Sequence, residues 1–254
     1  MAGVNIVGLS KQYTIGDHSF YALKDIDLNI DDGSFTTIVG KSGCGKTTLL
    51  RLLCGLEKQT EGTIDFTSGK ETCKTAKRVG IVFQEPRLMH WLTVKENILF
   101  SLCRETKSAE KEELAEKYLQ IMGLAKFKDA YPSQISGGMA QRTALGRTLC
   151  YDPELILMDE PFAALDYFTR KNLQEEMVNL FLAYGKTIIF VTHNVEEALF
   201  LGQKVVIVEG GRIIQIIPVD FPYPRSYTSL KSLGILEEII QTINYGQKSS
   251  SLAG

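Results

Sequence analysis

The chain has 254 residues, with 28 Lys and Arg against 30 Asp and Glu and 44% hydrophobic residues. That is enough apolar material to bury a full core, and it excludes a disordered tail or a small disulfide scaffold. A formal net charge of −2 offers no basic face, so no nucleic-acid partner is expected. No apolar run approaches the roughly 18 residues that span a bilayer. The opening segment MAGVNIVGLS lacks the basic start and apolar core of a secretory signal, and the protein is expected on the cytosolic side. The cysteines Cys44, Cys54, Cys73, Cys103 and Cys150 are scattered without a CxxC, the pattern of neither a disulfide framework nor a zinc site.

In chain order, Ile26, Leu28 and Ile30 alternate with Asp25, Asp27 and Asn29, the period of a half-buried strand, and predict an antiparallel sheet near the N-terminus. Phe35 to Val39 is a short β-branched run. After a glycine-rich stretch, Leu49, Leu50, Leu52 and Leu53 repeat at helical spacing, so this region reads strand, loop, helix. Val79 to Phe83, Leu155 to Met158 and Thr187 to Val191 are apolar throughout, as in a parallel sheet covered on both faces. No strand is expected between Trp91 and Cys150. Leu114, Tyr118 and Met122 at steps of four predict an amphipathic helix inside a helical insertion over about 86–150. Val205 to Val208 and Ile213 to Ile217 flank paired glycines and predict a hairpin. The last segment, 218–254, opens with Pro218, Pro222 and Pro224, continues with Leu233, Leu236, Ile240 and Ile243, and is expected to form a docked helix with a frayed polar end. The fold class is therefore α/β: one domain over 1–217 with a helical insertion, followed by the short C-terminal segment.

GKSGCGKT at 40–47 fits GxxxxGK[ST] between a predicted strand and a predicted helix. Gly40, Gly43 and Gly45 let successive backbone N–H groups, including those of Ser42 and Cys44, turn toward phosphate oxygens, and the helix N-terminus that opens at Lys46, Thr47 and Thr48 adds its dipole. Lys46 is placed to bridge the β- and γ-phosphates, and the Thr47 hydroxyl to ligate Mg2+. Lys41 adds a further positive charge beside them. The Cys44 thiol, among inward N–H groups and near Lys46, is expected to be activated and nucleotide-sensitive.

LILMDE at 155–160 ends an apolar strand in two carboxylates. Asp159 would hold Mg2+ through water and Glu160 would orient the attacking water, although an acidic pair after a strand also suits a helix N-cap. Gln84 follows the strand Val79 to Phe83, Ser136, Gly137 and Gly138 open a helix, and His193 follows the strand Thr187 to Val191. These are positions where α/β proteins bind ligands, and each residue singly also fits a polar strand end, a loop or a satisfied turn.

The ordered set GKSGCGKTT, Gln84, ISGGMAQR at 135–142, LILMDEP at 155–161, AALD at 163–166 and VTH at 191–193 resembles the ATP-binding cassette family, the ATP-hydrolysing nucleotide-binding subunits of membrane transporters. The resemblance covers nearly the whole chain. It implies a P-loop NTPase with a RecA-like core, an antiparallel β-subdomain and a helical subdomain, ATP and Mg2+ as cofactors, and two subunits that sandwich two ATP molecules. By position, Tyr13 resembles the aromatic that stacks on adenine, although a Tyr there also suits a half-buried strand. Gln84 resembles the residue that senses Mg2+ and the transmembrane partner, and His193 the γ-phosphate switch. Ser136, Gly137 and Gly138 resemble the signature that closes on the opposite subunit's ATP, and Asp166 the acid linking the two sites.

Met139 and the stretch FQEPRLMHWLTV at 83–94 resemble importers of nitrate, sulfonate and taurine type, with Met89-His90 in place of Leu-Pro, and Asp220 to Arg225 resembles their C-terminal proline-arginine segment. The implied partners are a second cassette subunit, transmembrane permease subunits and, indirectly, a solute-binding protein, with the subunit peripheral on the cytoplasmic face of the membrane. Leu88, Met89 and Trp91 are expected to line a groove for the permease, although Trp91 also suits an aromatic that pins the insertion onto the core. The competing reading is a soluble cassette ATPase acting on a macromolecular partner; a single P-loop and the lack of sustained heptads speak against it.

Overall fold

The computed structural model describes residues 2–68, 71–73, 78–102, 108–163, 165–226, 234 and 236–242. Strands β1 (Gly3–Ile15) and β2 (His18–Ile30) form a long antiparallel hairpin. Along β2, Ile26, Leu28 and Ile30 are buried while Asp27 and Asn29 are exposed, as alternating residues on a one-sided sheet must be. Next come β3 (Phe35–Val39), helix α1 (Lys46–Leu53), and β4 (Glu61–Ser68), β5 (Glu71–Cys73) and β6 (Val79–Val82). Helices α2 (Val94–Leu99), α3 (Ser108–Ile121) and α4 (Gly137–Cys150) follow. Then β7 (Leu155–Asp159), α5 (Tyr167–Tyr184), β8 (Thr187–Thr192), α6 (Val195–Leu201), β9 (Lys204–Glu209) and β10 (Arg212–Pro218) complete the order.

Two sheets result. One is antiparallel, in the order β2-β1-β4-β5. The other runs β10-β9-β3-β8-β7-β6 and is parallel except for the edge strand β10. Burial on both faces of the second sheet explains its unbroken apolar runs. On β7, Leu155 and Leu157 enter the core shared with α1 and the antiparallel sheet, while Ile156 and Met158 enter the core beneath α2 to α5. Between β6 and β7 the described residues hold only helices and turns.

α2 starts in a full capping box, in which Thr93 Oγ1 accepts from the Glu96 N–H and Glu96 accepts from the Thr93 N–H at 2.7 Å. Asn97, fully buried, donates to the carbonyls of Met89, Leu92 and Thr93 and so pins the preceding loop to the helix, an arrangement that satisfies a buried amide.

Beyond β10, residues 236–242 are helical, with Ile239 fully buried in the main core and Leu236 packed against it. Leu233 and Ile243 lie outside the described residues, as do Ala164 and Cys103. Arg225, 6% exposed, donates to the carbonyls of Leu199 at 2.7 Å and Phe221 at 2.8 Å, anchoring the proline-rich segment to α6.

Candidate functional site

The C-terminal ends of β3, β7 and β8 lie side by side in the order β3-β8-β7, and each delivers its polar residues to one rim. After β3 the chain wraps into the glycine loop. Gly45 has φ +103, and a Cβ there would lie 2.4 Å from the Ala22 carbonyl oxygen; at Gly40 it would lie 2.2 Å from that of Val208. The loop is thus pressed against β2 and β9 with room for no side chain at either position, which leaves its backbone to form the cradle. Lys46, 5% exposed, donates from Nζ to the carbonyls of Gly40 at 2.7 Å and Lys41 at 2.9 Å, and lies 3.9 Å from Glu160 Oε1.

A cavity of about 560 Å3 opens over this loop. Its walls include Tyr13, Ser42, Gly43, Gly45, Lys46, Thr47, Thr48, Gln84 and Glu160, and four residues that the motifs do not reveal, Phe20, Ala22, Arg51 and Glu57. Asp159 joins through its Oδ1, which accepts from Thr47 Oγ1 at 3.2 Å. Burial pushes the Asp159 carboxyl up, with the Thr47 hydrogen bond opposing and Glu160 adding to the rise. His193 joins through Nδ1, 2.7 Å from Glu160 Oε2. Glu160 itself has φ +45, a region that costs a non-glycine residue energy and persists where surrounding structure over-determines it. Here its N–H donates to Val191 O at 2.9 Å and its carbonyl accepts from Ala163 N at 3.1 Å, so the strained turn aims the carboxylate from β7 toward β8.

At the far end of the cavity, Tyr13 and Phe20 lie with ring centroids 5.8 Å apart, and Lys11 Nζ sits 4.9 Å from the Tyr13 ring centre. The Tyr13 hydroxyl donates to Glu57, which also pairs with Arg51 at 3.5 Å and Lys11 at 3.6 Å. The hydroxyl bond is the foremost reason the Glu57 carboxyl is held below its ordinary value.

Several expected residues stand apart. Ser136, Gly137 and Gly138 are absent from the cavity walls. Ser136 caps α4 by accepting from the Met139 N–H at 3.3 Å, and Asp166 caps α5 by accepting from the N–H groups of Phe168 and Thr169. The Cys44 side chain is 6% exposed and points under the loop, where burial raises its pKa despite Lys46 nearby; the expectation of an activated thiol is corrected, because desolvation outweighs the neighbouring charge. Lys41 does not line the cavity either, and its Nζ is buried without a hydrogen-bond partner among the described residues. Leu88, expected in a groove, is 7% exposed and packed inward.

The site suits Mg2+ with a nucleoside triphosphate. The protein oxygens of Thr47, Asp159 and Gln84 are the hard donors that a small divalent cation takes together with phosphates. No cluster of three His, Cys, Asp or Glu side chains among the described residues forms a protein-only metal site.

Comparison with known proteins agrees with this geometry. The family described as ABC transporter matches residues 23–163. The chain is 42% identical over 243 residues to an uncharacterized ABC transporter ATP-binding protein of Methanocaldococcus jannaschii, covering 94% of this chain and 91% of that one. It is 40% identical over 245 residues to the aliphatic sulfonates import ATP-binding protein SsuB of Bacillus cereus, covering 96% of each. Among solved structures, a dimeric ATP-binding cassette in a post-hydrolysis state with ADP and Pi matches with TM-score 0.76 at 30% identity, over 86% of this chain and 100% of that one. CbiO1 of Clostridium perfringens, part of the cbiONQ transporter complex, matches with TM-score 0.76 at 25% identity, over 95% and 94%.

A P-loop NTPase cassette is thus what the fold and the site define, and the chain belongs to the ABC transporter family. It is an ATP-binding subunit of that family, an ATPase that uses ATP with Mg2+.

Proposed function

We propose that this chain energises an importer for solutes of the sulfonate, nitrate or taurine type, by closing as a dimer on two ATP molecules and transmitting that closure to a permease. The observation behind the two-chain site is that Ser136, Gly137 and Gly138 sit at the start of α4 and contribute nothing to the cavity of their own chain. They are available to cover the ATP of a second cassette, a copy of this chain or a close paralogue. The solute class rests on the likeness to the sulfonate-import subunits.

In this reading Tyr13 stacks on adenine, a mode open to any base through its ring face. The N–H groups from Ser42 to Thr48 bind phosphate, and Lys46 bridges the β- and γ-phosphates. Thr47, Asp159 and Gln84 hold Mg2+, which when bound neutralises charge developing on the phosphates. Glu160 accepts a proton from, or orients, the attacking water. His193, hydrogen-bonded through Nδ1 to Glu160, presents its other ring nitrogen toward the γ-phosphate.

A groove of about 440 Å3 lined by Phe83, Arg87, Met89, Phe100, Arg147 and Tyr151 is the docking place assigned to the permease, which would hold the subunit on the cytoplasmic face of the membrane. Trp91, 72% exposed, stands on the loop beside it. A solute-binding protein would act through the permease alone.

Mixing Glu160→Gln with Ser136→Arg subunits tests the two-chain site. Each variant alone should be nearly inactive, and the mixture should recover hydrolysis through one intact composite site per mixed dimer. A rate per chain that does not depend on concentration, in the wild type, would overturn the dimeric mechanism. Reconstitution with its permease and a panel of sulfonates, nitrate and taurine tests the solute class; stimulation by none of them, or by a macromolecular partner instead, counts against it.

A further inference from the structure

Glu197 is an acid in the interior. It lies in the first turn of α6, four residues after His193, and is 4% exposed. A carboxylate that deep is retained at a cost in stability unless it is fully bonded, and no step described above uses it. One carboxylate oxygen accepts from Gln174 Nε2 of α5 at 2.8 Å, and the other accepts from the Thr192 hydroxyl at the end of β8. The same Thr192 oxygen accepts from the Asn194 N–H at 3.0 Å, while Asn194 Oδ1 accepts from the Glu197 N–H at 3.2 Å. The residues before and after His193 are therefore both tied to Glu197, one through its side chain and the other through its backbone.

His193 itself is 59% exposed in its side chain, and apolar packing does not hold it. The backbone from which His193 makes its 2.7 Å contact with Glu160 is thus held on both sides. Glu197 lines a small cavity of about 20 Å3 together with Glu160, Arg170 and His193. Arg170 donates from Nη2 to the Leu165 carbonyl at 2.9 Å, so the cavity also borders the turn that leads into Asp166.

From this geometry we infer that Glu197 is a positioning residue for His193: through Thr192 and Asn194 it holds the His193 loop in register with Glu160. The inference rests on the ATPase reading of the site, and Glu160→Gln serves as the control for that reading. If Glu160→Gln keeps wild-type turnover, the site assignment fails whatever Glu197 does.

The test compares Glu197→Ala, Thr192→Val and Thr192→Ser as full-length dimers. Thr192→Val keeps the shape of the side chain and removes the hydroxyl; Thr192→Ser restores it. Glu197→Ala and Thr192→Val should each lower kcat by about tenfold or more, because a misplacement of about 1 Å at the reacting groups is costly, and leave KM for ATP within about twofold. Thr192→Ser should hydrolyse ATP close to the wild-type rate. The chain has three histidines, His18, His90 and His193, so ring 15N NMR can follow each. The His193 signals should shift in the two impaired variants while those of His18 and His90 stay in place. Should Glu197→Ala fail to fold, Thr192→Val decides. Wild-type kcat in Thr192→Val, a loss of kcat matched by an equal rise in KM, or unmoved His193 signals would each overturn the inference.

Discussion

Cys44 lies inside the phosphate loop, yet its sulfur is packed beneath the loop, 3.8 Å from Lys46 Nζ. The chain motif places a thiol among N–H groups but does not say to which side the thiol turns. Burial decides that, and it raises the thiol's pKa. In native protein, then, iodoacetamide should modify the half-exposed Cys54 before Cys44, with little change on adding Mg-ATP. Peptide mapping after timed alkylation checks this, and rapid Cys44 labelling that ATP suppresses would contradict it. The residues proposed to hold phosphate or metal were legible because loop chemistry demands their types at fixed spacing. Phe20, Arg51 and Glu57 were not, since they reach the cavity from a second sheet, a helix face and a turn. Arg51 alone left a signal, four residues after Thr47 on the same helix face. Glu197 left one too: an Asn followed three residues later by Glu marks a helix start, although this carboxylate turns back to Thr192 instead of closing the box.

At the scale of elements, the strands of the parallel sheet were readable as apolar runs because both their faces are covered, and β2 by its alternation. β4 and β5 escaped, because EGTIDFTS mixes charged and small residues on a sheet with one face in solvent. The groove over β6 shows the limit of reading a loop from its apolar residues. Leu88 faces inward while Met89 lines the groove, and the guanidinium of Arg147 on α4 donates to the carbonyls of Pro86 and Arg87, both at 3.0 Å. This ties the loop to α4. Likewise Gln141, 4% exposed, donates to the Phe83 carbonyl at 3.2 Å, next to Gln84. Trp91→Ala and Phe100→Ala, at 72% and 53% exposure, should leave the melting temperature of the isolated subunit nearly unchanged, since exposed substitutions away from special contacts cost within about 0.5 kcal/mol. Both should weaken co-purification with the permease. A fall of several degrees, or intact assembly in both variants, would remove this loop from the interface.

On the scale of the whole molecule, three acids sit in low-dielectric surroundings of the main core. Burial pushes Cys150 up to about 11, and Tyr118 and Tyr223 up to about 12. The sign follows from linkage. Near neutral pH each group is protonated whether the chain is folded or not. Above the ordinary values of 9.0 for Cys and 10.0 for Tyr, the unfolded chain releases protons that the folded one keeps, so stability falls as pH rises toward the folded values. The slope is about 1.4 kcal/mol per pH unit for each group in its window. Urea midpoints should therefore drop between pH 9 and about 11, and Cys150→Ala should flatten the first part of that drop. An unchanged slope in that variant would place the alkaline sensitivity elsewhere. The strand order also limits how such a chain can change length. Lys46, Glu160 and His193 are each counted off from the ends of β3, β7 and β8, whose residues pair in fixed register from Phe35 with Ile188 to Asp159 with Val191. One residue gained or lost within any of these strands would turn every later side chain to the other face of the sheet. Between Gln84 and Ser136 the chain shares no strand pairing with its neighbours among the described residues, so its turns can change length in descent without moving the spacing of Lys46, Glu160 and His193.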